Sequence, residues 1–137
     1  MNAKYITLAP ILLVIGVVGC MTAQQTMNTD SVISVRDAHA LLMKDTAIVL
    51  LDVRTLEEHA AERIGNTPVI PVQELEQRVH ELDSLKDRTI IVYCQAGYRS
   101  GMATAMLRKK GFKALIMQGG LNQWKSEHYE TMSGHLR

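Results

Sequence analysis

The sequence alternates short apolar runs with amphipathic segments of about ten residues, and this alternation constrains the fold more than any other feature. The runs occupy residues 47–53, 89–93 and 113–117, and the first reaches a carboxylate near its end. Continuous apolar runs are typical of strands buried on both faces, as in parallel sheets. Alternation of such strands with helices predicts an α/β fold whose parallel sheet carries helices on both faces.

Local patterns indicate where the helices begin and end. Ser34 with Asp37, and Thr55 with Glu58, have the spacing of capping boxes. The apolar spacing predicts a helical face over residues 72–82 and helices over residues 100–110 and 121–128. Trp124 in the last of these is predicted to be a core residue.

The segment most suited to chemistry is residues 94–100, which follows a strand and opens a helix. Gly97 permits a tight loop whose N–H groups turn inward as an anion nest, and the helix N-terminus adds positive charge. These features predict that Cys94 is a nucleophilic thiolate, with a pKa below its ordinary value of about 8.5, and that Arg99 is catalytic beside it. The loop residues predicted to offer backbone N–H groups are Gln95, Ala96, Gly97, Tyr98 and Ser100. A buried, inert cysteine is the alternative.

Three charged residues near this segment are expected to be structural, although Asp52 and Arg54 also admit a catalytic interpretation. Asp52 ends the first apolar run, and Arg54 has the fork geometry suited to a partly buried ion pair. Glu58 lies one helical turn from Arg54 and is also explained by capping Thr55.

Composition and charge exclude several classes of function. The chain has 15 Lys plus Arg against 14 Asp plus Glu, so it lacks the basic surplus of a nucleic-acid-binding protein. Cys20 and Cys94 are its only cysteines, and they form no disulfide framework. The five histidines have no metal-ligand spacing and are predicted to be solvated. We therefore expect no metal and no cofactor.

The motifs together resemble the rhodanese family over nearly all of residues 32–128. The resemblance rests on four motifs in the family's order: Asp52-Val53-Arg54 with Glu58, Ile70-Pro71 with Glu74-Leu75, residues 94–100, and Gly119-Gly120-Leu121 with Trp124. It implies a single rhodanese-like domain with a parallel five-stranded sheet and helices on both faces. It also implies a sulfurtransferase in which Cys94 takes sulfane sulfur from thiosulfate or a similar donor. The resulting persulfide then gives that sulfur to cyanide, a thiol or a protein thiol.

Three other functions stay open beside this one. The domain could be a persulfide carrier for a protein partner. A thiol oxidoreductase would need a resolving cysteine, which is missing if Cys20 is lipidated. Rhodanese-like phosphatases resemble Cys-x5-Arg enzymes, which would need arginine at position 100, where this chain has Ser100 after Arg99.

The first thirty residues are predicted to lie outside the domain. Residues 6–18 carry no charge and are shorter than the ~20 residues of a membrane span, which is typical of the apolar region of a signal peptide. The segment ends in Gly19-Cys20 after two valines, which resembles a bacterial lipobox.

The sequence therefore predicts a lipoprotein with four parts. Residues 1–19 are the expected signal peptide, residues 20–30 the lipidated Cys20 and a polar tether, residues 31–129 the rhodanese-like domain, and residues 130–137 a C-terminal tail. An uncleaved anchor over about residues 5–21 is the alternative. Either form attaches the domain to a membrane on the periplasmic side of a bacterial cell envelope.

Overall fold

The computed structural model describes residues 31–134, which form a parallel sheet with helices on both faces. The strands are β1 Val32–Ile33, β2 Val49–Asp52, β3 Thr89–Tyr93 and β4 Lys113–Met117, in the spatial order β1-β4-β3-β2. The helices are α1 Val35–Lys44, α2 Leu56–Ala61, α3 Leu75–Arg78, α4 Tyr98–Lys109 and α5 Gly120–Ser126, and a 3-10 helix covers Val79–Leu85. The predicted fold class is confirmed.

The sheet of the described residues has four strands rather than the predicted five. In place of a fifth strand, Val69 forms a single parallel bridge with Asp52. Pro68 and Pro71 flank this short segment. Beyond this bridge the N–H of Val72 donates to the carbonyl oxygen of Val53, but the N–H of Arg54 donates to the side chain of Asp52, so no second bridge forms.

A separate core fills each face of the sheet. One core joins strand side chains to α3, the 3-10 helix and α4, and includes Leu51, Val92, Leu75, Leu82 and Leu107. The other joins strand side chains to α1 and α5, and includes Leu50, Ile91, Ala38, Leu121 and Trp124. The core position predicted for Trp124 is confirmed.

Helices α1 and α2 begin at the predicted caps, whereas α4 and the segment over residues 72–82 differ from the prediction. Thr55 and Glu58 form a complete capping box at α2, and Ser34 caps α1. Gly97 has a φ of 115° and occupies the N-cap position of α4, so this helix begins two residues earlier than predicted. The segment predicted as one helical face over residues 72–82 divides into α3 and the 3-10 helix.

The register of the sheet brings the candidate site together. Asp52 at the end of β2 is paired with Tyr93 at the end of β3, so the two strands finish level. Cys94 therefore follows at the carboxyl edge of the sheet, where ligands bind in open parallel sheets.

The predictions made for residues 1–30 fall outside the described part of the chain. No helix within residues 31–134 is long and apolar enough to cross a membrane. Past α5, Met132 pairs with Arg63 in an antiparallel bridge, so residues 130–134 run along the domain. The limits set at residues 31 and 129 stay predictions.

Candidate active site

Cys94 lies at the end of β3 with its thiol inside a ring of hydrogen-bond donors. The residue is 2% exposed, and the N–H of Gly97 donates to its Sγ at 3.1 Å. Burial by itself would raise the pKa of the Cys94 thiol. Hydrogen bonds from Ser100, through its backbone and hydroxyl, and from the N–H groups of Gly97 and Ala96 outweigh burial and lower the pKa below its ordinary value. The site therefore favours a thiolate.

Ser100 contributes a side chain as well as the backbone N–H that the sequence predicts. Its hydroxyl lies 3.7 Å from the Sγ of Cys94 and donates to the carbonyl oxygen of Gly97 at 2.9 Å. A hydroxyl has one proton to donate, and it rotates to suit its partner. It can therefore accept a hydrogen bond from the neutral thiol and turn its proton toward the thiolate.

The first turn of α5 fixes the direction of the loop peptides. The N–H groups of Leu121 and Asn122 donate to the carbonyl oxygens of Cys94 and Gln95 at 2.9 and 3.0 Å. In a planar trans peptide the carbonyl and the N–H point in opposite directions. Since the Gln95 carbonyl faces α5, the N–H of Ala96 in the same peptide faces the opposite side, toward the thiol.

Gly120 is the residue that allows this close approach. It has a φ of +57°, and an added Cβ would overlap the carbonyl oxygen of Cys94 and lie 2.9 Å from the carbonyl carbon of Gln95. Any side chain here would force the loop away from α5. The sequence marks Gly119-Gly120 only as a turn and a family motif, because a contact across 26 residues leaves no local signal.

A buried ion pair lies directly beneath the loop. Arg54 and Asp52 are 2% and 0% exposed, and Nη2 of Arg54 lies 2.6 Å from Oδ2 of Asp52. Nη2 also donates to the carbonyl oxygen of Glu62 at 2.7 Å. Arg54 therefore forms an ion pair with Asp52, and this pair is fully buried where the sequence predicts a partly buried one.

His59 belongs to the same buried group, and its predicted solvent exposure is wrong. The residue is 4% exposed, its Nδ1 lies 2.9 Å from Oδ2 of Asp52, and its Nε2 is buried without a hydrogen-bond partner among the described residues. His59 is in the second half of α2, which faces the end of β2. The spacing of Asp52 and His59 along the chain gives no indication of this contact.

Arg99 and Glu58 join α4 to α2 at the rim of the site. The two terminal nitrogens of Arg99 lie 2.7 and 2.8 Å from the two carboxylate oxygens of Glu58. This bidentate contact is the main reason that the pKa of Glu58 falls to about 2. The positive charge of Arg99 is therefore paired, and its catalytic role stays a prediction.

The other loop residues lie at the mouth of the site. Tyr98 is 82% exposed, Ala96 is exposed and Gln95 is half-buried. A separate open groove of about 690 Å³, lined in part by His39, Trp124 and Tyr129, includes none of the loop residues. Within residues 31–134, no cluster of three or more His, Cys, Asp or Glu side chains is arranged to hold a metal ion. Cys94 is therefore the activated nucleophile at this edge of the sheet.

Comparison with known proteins gives a consistent family. The model of the rhodanese-like domain matches residues 34–127. A putative sulfur carrier protein of Bacillus subtilis is 36% identical over 81 residues, which are 58% of this chain and 43% of that protein. A thiosulfate sulfurtransferase of Coxiella burnetii is 31% identical over 88 residues, which are 64% of this chain and 80% of that protein.

Solved structures agree with this family at the level of the fold. A rhodanese-related protein from Thermoplasma volcanium has a TM-score of 0.68 at 29% identity, covering 74% of this chain and 96% of that one. Several curated relatives are longer proteins. The chain spans half or less of those from Porphyra purpurea, Bacillus subtilis and Synechocystis.

Proposed function

The chain belongs to the family of rhodanese-like domains, and we propose that it is a sulfurtransferase that carries sulfane sulfur as a persulfide on Cys94. One observation carries the proposal: the thiol that follows β3 lies inside its own loop, with the N–H of Gly97 donating to its Sγ at 3.1 Å and the hydroxyl of Ser100 lying 3.7 Å from it. A thiolate is the nucleophilic form of cysteine, so this loop prepares Cys94 to attack sulfur.

The proposed reaction has two half-reactions. The Cys94 thiolate attacks the outer sulfur of thiosulfate, the sulfur–sulfur bond of the donor breaks, and sulfite leaves with the bonding electron pair. Cyanide or a thiolate then attacks the outer sulfur of the persulfide, so that cyanide leaves as thiocyanate and Cys94 returns as a thiolate. Because the two half-reactions share one covalent intermediate, ping-pong kinetics are expected.

The N–H groups around Cys94 suit both forms that this cysteine takes in the cycle. They stabilise the thiolate before attack, and the persulfide that follows again bears a negative charge within the same loop. The donors that this loop offers to sulfur are therefore the backbone N–H groups of Ala96, Gly97 and Ser100, together with the hydroxyl of Ser100.

A persulfide carrier is the second candidate, favoured by the resemblance to a putative sulfur carrier protein. A carrier would form the same persulfide but would turn over small donors and acceptors slowly. A phosphatase is disfavoured because Glu58 pairs with the guanidinium of Arg99, which is thereby not free to hold a phosphate.

The decisive experiment is the intact mass of the protein after treatment with thiosulfate. We expect a gain of one sulfur atom located on Cys94 and no gain in the Cys94→Ser variant, which lacks the thiol and should keep the fold. Steady-state release of thiocyanate from thiosulfate and cyanide then separates an enzyme from a carrier. Hydrolysis of a phosphomonoester without any persulfide on Cys94 would overturn the proposal.

We also propose that the protein acts at a membrane. From the lipobox-like Gly19-Cys20 junction we propose a lipid anchor on Cys20 that holds the domain to a membrane on the periplasmic side. Its sulfur donors and acceptors would then be molecules or protein thiols of the cell envelope.

A further inference from the structure

We propose that the side chain of Gln95 is a positioning residue that clamps the loop between the buried Asp52–Arg54 pair and α5. The inference rests on the proposed function only for its effect on turnover. Gln95 directly follows the nucleophile, and it is the loop residue whose side chain contacts structure on both sides of the loop.

Both ends of the Gln95 amide are engaged. Its Oε1 accepts from Nη1 of Arg54 at 3.3 Å, and its Nε2 donates to Oδ1 of Asn122 at 2.6 Å. A guanidinium can only donate hydrogen bonds, so the oxygen of the amide must face Arg54 and the nitrogen must face Asn122. The orientation of the side chain is therefore fixed by chemistry.

The two anchors of the clamp differ in rigidity. Arg54 is held by Asp52 and by the carbonyl of Glu62, so one end of the clamp is attached to a buried and immobile group. Asn122 is an exposed residue of α5 that also donates its backbone N–H to the carbonyl of Gln95. Gln95 is therefore tied to the same residue by its side chain and by its backbone.

The clamp lies next to a backbone N–H group that acts on the thiol of Cys94. The peptide between Gln95 and Ala96 carries one of the N–H groups that lower the pKa of Cys94. Holding the side chain and the carbonyl of Gln95 removes the rotation that would turn this N–H away from the sulfur. Loss of the clamp is expected to weaken the thiolate without removing any group that touches it.

The test compares Gln95→Met, Asn122→Ala and the double variant in the full chain. Met keeps the length of the glutamine side chain and removes both hydrogen bonds. The full chain is treated with iodoacetamide at a series of pH values without any sulfur donor. The alkylation rate of Cys94 is then read from the digested peptide that bears this residue. Gln77→Met, at an exposed glutamine of α3, is the matched control.

We expect Gln95→Met to move the midpoint of the pH profile upward and to lower the rate below that midpoint roughly fivefold, the factor that one ordinary hydrogen bond supplies. Asn122→Ala should have a smaller effect, and the double variant should match Gln95→Met alone, because Asn122 acts through Gln95. Turnover of thiosulfate should fall in the same order.

Two results would overturn the inference. One is a wild-type pH profile in Gln95→Met, which would reduce the clamp to a structural contact even if the melting temperature falls. The other is a double variant whose effect is the product of the two single effects. Because Asn122 is exposed, Asn122→Ala keeps the test valid if Gln95→Met does not fold. Failure of the proposed function would be distinct, since it would abolish wild-type turnover and leave the alkylation profile measurable.

Discussion

Arg99 and Glu58 meet as two parallel forks, with the two guanidinium nitrogens 2.7 and 2.8 Å from the two carboxylate oxygens. Glu58 also closes the capping box of α2 through the N–H of Thr55. One carboxylate thus fixes the start of α2 and its attachment to α4. The pair balances the charge at the rim and leaves activation of Cys94 to the N–H groups of the loop and the hydroxyl of Ser100.

Arg99→Ala is expected to reduce the loss in the free energy of unfolding that occurs as the pH falls from 4.5 toward 2. The folded pKa of Glu58, about 2, lies below its ordinary value of 4.5. The pair therefore contributes stability fully above pH 4.5 and loses it as the pH falls toward 2. Because the pair is partly exposed, we expect Arg99→Ala to lower the free energy of unfolding at pH 7 by no more than about 1 kcal/mol.

The measurement is denaturant unfolding of both proteins at pH 7 and pH 3, where the difference should shrink. Lys109→Ala removes an exposed charge from the last turn of the same helix and serves as the control. An equal difference at both pH values would show that Glu58 is not the partner that matters.

Ser100→Ala is expected to raise the pKa of Cys94, because it removes the hydroxyl that can donate to the thiolate and leaves the backbone N–H groups in place. The pH dependence of Cys94 alkylation measures the shift. Thr104→Val is the matched control, because Thr104 places a second buried hydroxyl on the same helix without a hydrogen-bond partner among the described residues. A similar shift in both variants would assign the effect to helix packing.

Gly120→Ala is expected to lose activity and to destabilise the domain by more than Gly65→Ala. Both glycines have a φ of +57°, but a Cβ on Gly65 would meet nothing within 4 Å. Gly65→Ala should therefore show only the backbone strain of about 1 kcal/mol. Thermal unfolding and turnover of the two variants distinguish the backbone strain, which both share, from the overlap with the loop, which only Gly120→Ala introduces. Equal behaviour would mean that the loop yields to the new methyl group without consequence.

Arg54→Ala is expected to impair stability more than chemistry. It would leave the buried carboxylate of Asp52 without its main partner, and breaking a buried pair typically lowers stability by about 3–5 kcal/mol. Denaturant unfolding and turnover of the variant measure the two effects. A variant that melts like the wild type yet has no turnover would identify Arg54 as catalytic.

Cys20→Ala is expected to prevent lipid modification and to leave the domain folded, because the residue lies outside the predicted domain. Mass analysis of the mature protein and its partition into detergent measure the change. Detergent partition of the wild type without any acyl mass on Cys20 would contradict the anchor.

Local patterns predict the central strands and the helix starts well. β3 and β4 coincide with the apolar runs at residues 89–93 and 113–117, and α2 follows its capping box, because these elements depend on neighbouring residues. The fifth strand is the exception: the segment at Val69 forms only one bridge, because the N–H of Arg54 donates to the side chain of Asp52 instead.

In the candidate site, too, features that depend on neighbouring residues are predictable from the sequence, and features that depend on distant residues are not. The sequence predicts a thiolate at Cys94 from a strand end, a glycine and a helix start, all within seven residues. The partners of the charged residues are not predictable from it, because they depend on how α2 approaches α4 and β2. Glu58 and Arg99 are 41 residues apart, and the burial of His59 follows from the same approach.

The contact between α5 and the loop also has a consequence for the order in which the protein matures. The carbonyls of Cys94 and Gln95 receive their partners from Leu121 and Asn122, which are synthesised after the nucleophile. A nascent chain that ends before residue 120 holds the complete loop sequence but lacks the groups that orient it. We therefore expect its cysteine to be less reactive than that of the complete domain until the last helix has docked.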